Sequence, residues 1–315
     1  MKFYKLLIPS ILTIVLVLIL STQVSFSDFS QIFSKLSLMI IFVGFLLYTL
    51  NYVFRAIRLQ YLLKNKFGFL NSFKIVSIHN MFNQILPFRT GEFSLIYLLK
   101  KKNIDVVKST SFLILLRIFD LFVVSFFLIF SLIFSWGKFN LFIKNPWILL
   151  SVLLLFLVLL IIFLIKSPFF IKLIIKIISL FRLNKFKIFE KINSNLVSLS
   201  NYLKNYLLNK KIFFFTLFLS LFVWIFSFMF TYYILVSLGL EFLFLPFIFA
   251  ISLILIFNNL PVHGILNFGT QESFWAIAFI AIGVDKVLAI SSGFVVHILV
   301  IIYFLFWGVI SYFIK

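Results

Sequence analysis

The chain contains the stretch Asn83-Gln84-Ile85-Leu86-Pro87-Phe88-Arg89-Thr90-Gly91-Glu92 between two apolar runs. It has only eight acidic residues in 315, and one of them is Glu92. Lipid offers polar groups no hydrogen-bonding partners, so in a bilayer such a stretch must face protein or water. Proline and glycine interrupt helices and free backbone groups. The stretch therefore predicts that a helix is interrupted inside the membrane and that polar side chains lie at the interruption.

A second cluster shares several residue types with the first, in the same order. It begins with Asn258-Asn259-Leu260-Pro261-Val262-His263-Gly264, and residues 267–272 continue it as Asn-Phe-Gly-Thr-Gln-Glu. Each cluster has an amide, a Leu-Pro pair, a short glycine-containing break, and then Gly and Glu close together. We therefore interpret the two clusters as two halves of one site.

The composition is typical of a polytopic membrane protein. Hydrophobic residues make up 64% of the chain and its mean hydropathy is +1.23, whereas soluble domains contain about 45–50% apolar residues. The net charge of +20 lies in loops between apolar runs, which indicates anchoring against anionic lipid rather than binding of nucleic acid. The chain has no cysteine, which excludes a disulfide, a thiolate metal site and a cysteine nucleophile.

About six apolar runs are predicted to span the bilayer. The first also fits a signal peptide, but no cleavage motif follows it, so a retained helix is favoured. The runs are Leu6–Leu20, Leu36–Phe54, Ser109–Ser135, Trp147–Ile165, Ile212–Val236 and Val287–Phe313.

The apolar runs beside the two clusters are shorter. Ile75–Leu86 reaches about 18 Å, whereas the hydrocarbon core is about 30 Å thick. Together with Phe93–Leu99 it predicts a re-entrant hairpin with residues 87–91 at its tip. Phe244–Leu260 and Ser273–Ile282 predict a second hairpin around the second cluster.

The distribution of basic residues predicts that both termini lie in the cytoplasm. With the N-terminus inside, 22 of the 28 lysines and arginines lie in inside segments and four lie in outside loops. The first hairpin then enters from inside and the second from outside, which is an inverted repeat. Two full spans in place of each hairpin would preserve this sidedness as well. The short apolar runs on either side of each cluster favour hairpins. We therefore expect an all-α polytopic protein of the plasma membrane, with about six spanning helices and two re-entrant helical hairpins in an inverted-repeat arrangement.

We expect one transmembrane domain over residues 1–315, with 166–211 as a cytoplasmic interfacial segment. Lys172 and Lys176 share one face of an otherwise apolar helical stretch at 171–178. That pattern is typical of a helix lying on the membrane surface.

Several charged residues fall within the predicted membrane segments. Arg117 and Asp120 are three residues apart, so they share a helix face and are expected to pair, either as a structural clamp or as a wall of a substrate path. Arg89 suits phosphate because freed backbone N–H groups lie near its planar guanidinium. Its alternative is a salt bridge to Glu92 or Glu272 that holds the hairpins together. The two glutamates also suit a proton or a cationic headgroup.

No catalytic motif or metal-ligand spacing occurs in the sequence. Its three histidines are scattered, and no G-x-S-x-G, Walker or dinucleotide motif appears. We therefore expect no metal, no cofactor and no catalytic residue. The candidate substrate-binding residues are Asn83, Pro87, Arg89, Gly91, Glu92, Arg117, Asp120, Asn259, Pro261, His263, Gly269 and Glu272.

With these residues the chain resembles the transmembrane region of lysylphosphatidylglycerol synthases and related flippase-like inner-membrane proteins. The resemblance covers almost the whole chain, and Asn267 stands where such proteins usually have glycine. It implies a polytopic fold with re-entrant helices and movement of lipids or lipid-linked headgroups between leaflets. The matching residues are Asn83, Leu86-Pro87-Phe88-Arg89, Gly91-Glu92, Arg117, Asp120, and Leu260-Pro261 through Phe268-Gly269 to Glu272.

The leading expectation is a flippase or transporter for a phosphate-bearing lipid of the anionic or polyprenyl-phosphate type. The resemblance also implies that full-length synthases carry a soluble aminoacyl-transfer domain. This chain stops right after its last predicted span, so synthase activity is not expected. One alternative is an integral lipid-modifying or glycosyltransferase-type enzyme, although the predicted outside loops hold few acidic residues. Another is a non-catalytic membrane subunit for a separate synthase or glycosyltransferase. Membrane lipids are the expected partners, and both a monomer and an oligomer are left open.

Overall fold

The computed structural model describes residues 4–135, 187–260 and 262–314, together with short stretches and isolated residues between 151 and 180. These residues are all-helical, and no strand occurs among them. Two short 3-10 turns, Pro87–Glu92 and Ile265–Asn267, lie between helices. The helices are α1 (Tyr4–Ser21), α2 (Phe26–Phe33), α3 (Leu38–Leu62), α4 (Phe69–Ile85), α5 (Phe93–Lys101), α6 (Val106–Phe134), α7 (Lys187–Leu208), α8 (Lys210–Ser237), α9 (Phe244–Phe257), α10 (Thr270–Ala281) and α11 (Lys286–Phe313).

Four of the described helices, α3, α6, α8 and α11, are long and apolar enough to cross a membrane. Residues Ile8–Ser21 and Phe26–Phe33 form a fifth candidate as a bent pair, with an angle of 89° between them. The predicted span Trp147–Ile165 and the stretch 171–178 lie largely outside the described residues. The protein is therefore an all-helical, multi-pass membrane protein.

The second span is longer than the sequence indicates. A predicted end at Phe54 assigns Arg55 and Arg58 to a loop, but α3 continues to Leu62. Arg58 is only 2% exposed. The prediction was wrong because these arginines have polar partners on the helices, and a hydropathy pattern does not show partners far away in sequence.

The helices beside the two turns pack in a repeated pattern. α5 packs against α6, the next helix in the chain, and α10 packs in the same way against α11. We call the two helices beside each turn its limbs. The limbs that precede the turns pack the other way round, since α4 packs against α11 while α9 packs against α6. α3 and α8 pack extensively against each other. Each pair of limbs therefore packs against both α6 and α11, in exchanged order.

The same repetition appears where the second limb of each pair leads into a long helix. Asp105 accepts hydrogen bonds from the backbone N–H groups of the second and third residues after it, at the start of α6. Asp285 does so at the start of α11. The residue two positions before each aspartate has a positive φ, 58° at Asn103 and 92° at Gly283. Both long helices thus begin with the same capped turn.

Candidate functional site

We call residues 86–92 the first tip and residues 258–269 the second tip. Each contains two successive non-glycine residues in the left-handed region: φ is 53° at Phe88 and 55° at Arg89, and 52° at Leu266 and 59° at Asn267. Such residues rarely adopt this conformation. In both tips a glycine follows two positions later and a helix begins. The two tips are therefore local structural repeats of each other.

Asn267 stands where the resembling proteins usually have glycine, and its backbone conformation explains why either glycine or asparagine fits this position. Its φ of 59° favours glycine, and asparagine is among the side chains that tolerate this region best. Its Nδ2 also donates a hydrogen bond of 2.6 Å to Oε1 of Gln84 at the end of α4. Asparagine therefore keeps the turn and adds a link between the two halves.

The two tips contact each other directly. The backbone N–H of Phe88 donates to the carbonyl oxygen of His263 at 3.2 Å. Arg89 donates from Nη1 to the carbonyl oxygen of Asn258 at 2.7 Å and to Oδ1 of Asn259 at 2.9 Å. The structure thus brings together the two clusters that the sequence indicated as parts of one site.

Glu92 lies between two arginines. Its Oε1 is 2.7 Å from Nη2 of Arg89 and 2.6 Å from Nη2 of Arg117, and Nε of Arg117 donates to its Oε2 at 3.0 Å. The predicted pair of Arg117 with Asp120 is much longer, 3.8 Å. Glu92 is therefore the main partner of Arg117, because the first tip returns beside α6.

Asp120 has its closest partner on α3 instead. Its Oδ1 is 2.6 Å from Nη1 of Arg58, and Nη2 of Arg58 lies 3.3 Å from its Oδ2. Arg58 also donates to Oγ of Ser220, and Trp224 donates from Nε1 to Oδ1 of Asp120. This buried pair joins α3, α6 and α8 as a structural clamp, and Arg117 adds the longer contact to Asp120 that the sequence predicted.

The salt bridge that the sequence offered as the alternative for Arg89 forms with Glu92, whereas Glu272 has other partners. Glu272 is completely buried, and its Oε2 accepts a hydrogen bond of 2.7 Å from the backbone N–H of Gly269. Its Oε1 is 2.5 Å from Nδ1 of His297 on α11. As the third residue of α10, Glu272 reaches back to cap that helix, which leaves it bound within its own half of the site.

A cavity of about 210 Å³ lies where the tips meet. Residues from all four long apolar helices line it, which puts it inside the membrane-spanning part of the protein. Its wall is rich in amides and contains three arginines and one carboxylate. The polar lining residues are Tyr48, Asn51, Tyr52, Arg55, Asn80, Asn83, Gln84, Arg89, Arg117, Asp120, Trp224, Ser227, Thr231, Asn258, Asn259, His263, Asn267, Gln271 and Trp275.

The candidate site residues fall into three groups. Half of them line the cavity: Asn83, Arg89, Arg117, Asp120, Asn259 and His263. Five do not line it but shape the tips or their ion pairs: Pro87, Gly91, Glu92, Gly269 and Glu272. Pro261 lies outside the described residues.

Sequence reasoning missed the part of the wall that α3 contributes. Arg55 donates from Nε to Oδ1 of Asn51 at 2.8 Å, and its guanidinium lies 5.3 Å from the centre of the Trp224 ring. Asn51, Arg55 and Arg58 follow an i, i+4, i+7 spacing, which puts them on one helix face. This spacing is the signal that could have identified them, and the assignment of both arginines to a loop hid it.

In the part of the chain that the structure describes, no three histidine, aspartate or glutamate side chains come together as metal ligands. What the fold and the cavity define is a multi-pass helical membrane protein with two interrupted helical pairs that meet at a polar cavity. The chain matches the family model described as the lysylphosphatidylglycerol synthase TM region over residues 6–308, and it belongs to that family. The family relates it to lipid modification or lipid flipping. No curated protein matches the chain.

Proposed function

We propose that the protein is a lipid flippase that moves a phosphate-bearing lipid or lipid-linked headgroup between the leaflets of the cell membrane. The observation that carries this proposal is the polar cavity at the meeting point of the tips, which residues of α3, α6, α8 and α11 help to line. A charged headgroup in hydrocarbon is costly unless polar groups replace its water. Amides and arginines in the cavity wall supply such groups.

The size of the cavity fits a headgroup rather than a whole lipid. Its volume of about 210 Å³ is below the range of about 300–1,000 Å³ for pockets that enclose drug-sized ligands. The acyl chains would therefore stay in the bilayer while the headgroup passes through the protein.

The proposed architecture has six spans and two re-entrant hairpins in an inverted repeat, with both termini in the cytoplasm. The repeated tips, the exchanged packing of their limbs and the matching aspartate caps support it. Transporters of this plan bind substrate where the two repeats meet. Arg89 would act as a clasp there, because it binds both its own tip through Glu92 and the opposite tip through Asn258.

A leaflet-exchange assay tests the proposal. The purified chain is reconstituted into liposomes containing a fluorescent phosphatidylglycerol, and dithionite bleaches the outer leaflet. Flipping activity raises the bleached fraction from about half toward all of the label. The Arg89→Ala variant should slow this exchange. Lys210→Gln removes an exposed charge at the start of α8 and should exchange at the wild-type rate. Bleaching that stops at the level of empty liposomes, for anionic and polyprenyl-phosphate lipids alike, would refute the proposal.

The family description names a synthase, which favours one second candidate: a membrane subunit of a separate lipid-modifying enzyme. In that case the purified chain moves no lipid alone, and it copurifies with a synthase or glycosyltransferase from its native membrane.

A further inference from the structure

We propose that the cavity selects a headgroup with net negative charge and that Arg55 binds its phosphate; this specificity rests on the proposed flippase function. Within the described part of the chain, Arg55 pairs with no carboxylate, in contrast to the other three arginines of this region. It contacts Asn51 through Nε and the ring of Trp224 through its guanidinium face. The two terminal nitrogens of Arg55 are thus free to form the two-pronged contact that arginine makes with phosphate.

The charges around the cavity are out of balance. Four arginines, Arg55, Arg58, Arg89 and Arg117, surround two carboxylates that are both engaged in ion pairs. Glu272, a third carboxylate nearby, lies against His297 rather than against an arginine. The arginines around the cavity therefore outnumber its carboxylates, in a region lined by long apolar helices. Uncompensated charge is costly there. A bound phosphate offsets part or all of this excess.

The described carboxylates near the cavity are not available for an ammonium group. Glu92 binds Arg89 and Arg117, and Asp120 binds Arg58. Glu272 is fully buried against His297. Aromatic rings of Tyr48, Tyr52 and Trp275 also line the cavity, but an aromatic face attracts an exposed ammonium group by only about 0.5–1 kcal/mol. A zwitterionic headgroup would thus bring a cation that finds no free carboxylate.

An aminoacylated headgroup is disfavoured for the same reason. The lipid named in the family description carries a lysyl ester, whose two ammonium groups outnumber its single phosphate. Such a headgroup adds positive charge to a cluster that already has an excess. The cavity of this chain is therefore expected to prefer the anionic parent lipid, phosphatidylglycerol.

Direct binding measurements on the purified full chain test this without requiring transport. Native mass spectrometry in detergent can compare phosphatidylglycerol, phosphatidylcholine and lysylphosphatidylglycerol. We expect wild type to bind phosphatidylglycerol about tenfold more tightly than either other lipid, because the ammonium groups of those lipids lack a charged partner in the cavity. Glycerol 3-phosphate, added as a competitor, distinguishes a lipid site from a site for any phosphate: failure to compete at millimolar concentration indicates that the lipid is the ligand.

Two variants locate the phosphate-binding group. Arg55→Gln should lower the affinity for phosphatidylglycerol about tenfold, and Arg55→Lys should recover part of it, while Lys210→Gln binds as wild type does. Asn80→Asp puts a carboxylate among residues that share the cavity with Arg55. It should weaken phosphatidylglycerol binding and reduce the discrimination against the lysylated lipid, without removing any native cation.

The outcomes separate the two proposals. Equal binding of all three lipids by wild type overturns the anion specificity, whether or not the protein exchanges lipids. Selective binding that Arg55→Gln leaves intact overturns the assignment of Arg55. Selective binding that is lost in Arg55→Gln, combined with no leaflet exchange of either anionic or polyprenyl-phosphate lipids, supports the anion site and refutes the flippase function.

Discussion

Arg58 on α3 and Asp120 on α6 form a buried ion pair, with 2.6 Å between Nη1 and Oδ1 and side chains that are 3% and 6% exposed. Breaking a buried pair leaves one charge stranded, which costs about 3–5 kcal/mol. We therefore expect Arg58→Ala and Asp120→Ala each to lower the midpoint of thermal unfolding in detergent strongly. The double variant should lose far less stability than the sum of the two.

The Arg117–Asp120 pair serves as the control for this comparison of single and double variants, because its closest approach is 3.8 Å. Its coupling energy should be clearly smaller than that of Arg58 with Asp120. Additive losses for Arg58 and Asp120 would contradict the pairing seen in the structure.

The backbone at Gly91 leaves no room for a side chain. A Cβ there would overlap the carbonyl oxygen of Phe82 and the Cα of Asn83. We expect Gly91→Ala to destabilise the protein by about 1–3 kcal/mol or more, since the backbone of Phe82 and Asn83 must shift to make room for the methyl group. Gly68→Ala is the matched control, because nothing lies within 4 Å of its Cβ position. Thermal unfolding of both variants in detergent makes the comparison, and equal midpoints would show that the tip does not pack as described.

The clasp formed by Arg89 requires the geometry of its guanidinium. Nη2 binds Glu92 while Nη1 binds Asn258 and Asn259, and a lysine ammonium cannot reproduce this fork. In the leaflet-exchange assay we expect Arg89→Lys to lower the rate roughly tenfold at unchanged protein yield, and Arg89→Ala to lower it further. An exchange rate at the wild-type level in Arg89→Ala would mean that the clasp has no part in transport.

The contact between the tips can be trapped chemically, because the native chain has no cysteine. Gln84 and Asn267 are joined by a hydrogen bond of 2.6 Å. We expect the double variant Gln84→Cys and Asn267→Cys to cross-link with a short bifunctional thiosulfonate, as measured by mass spectrometry. Asn71 lies on the same helix about 20 Å from Gln84, so Asn71→Cys with Asn267→Cys should remain uncross-linked. Equal cross-linking of both pairs would refute the tip contact.

The predicted orientation in the membrane is tested by introducing single cysteines into the same cysteine-free protein. Asn65→Cys should react with a membrane-impermeant maleimide only after the cytoplasmic side is opened, and Lys286→Cys should react in intact cells. Labelling of position 65 in intact cells, with position 286 protected, would reverse the orientation.

Much of the local character of the site follows from the sequence. The helix breaks near Gly91 and Gly269 were expected from proline, glycine and the polar residues beside them, because helix interruption is a local property. The shared site of the two clusters was also expected, since both would need polar partners inside a membrane. The left-handed conformation of Phe88, Arg89 and Leu266 had no such local signal, because these residue types rarely adopt it.

The sequence by itself determined the class of protein: hydropathy and charge distribution require apolar helices in a bilayer, and the polar breaks mark where those helices are interrupted. Only the tertiary structure decided which charges meet. Arg58 and Asp120 are 62 positions apart, and 25 positions separate Glu92 from Arg117 and also Glu272 from His297. Hydropathy depends on each residue and its neighbours, whereas an ion pair depends on the distance between side chains of different helices, which exists only after the helices have packed.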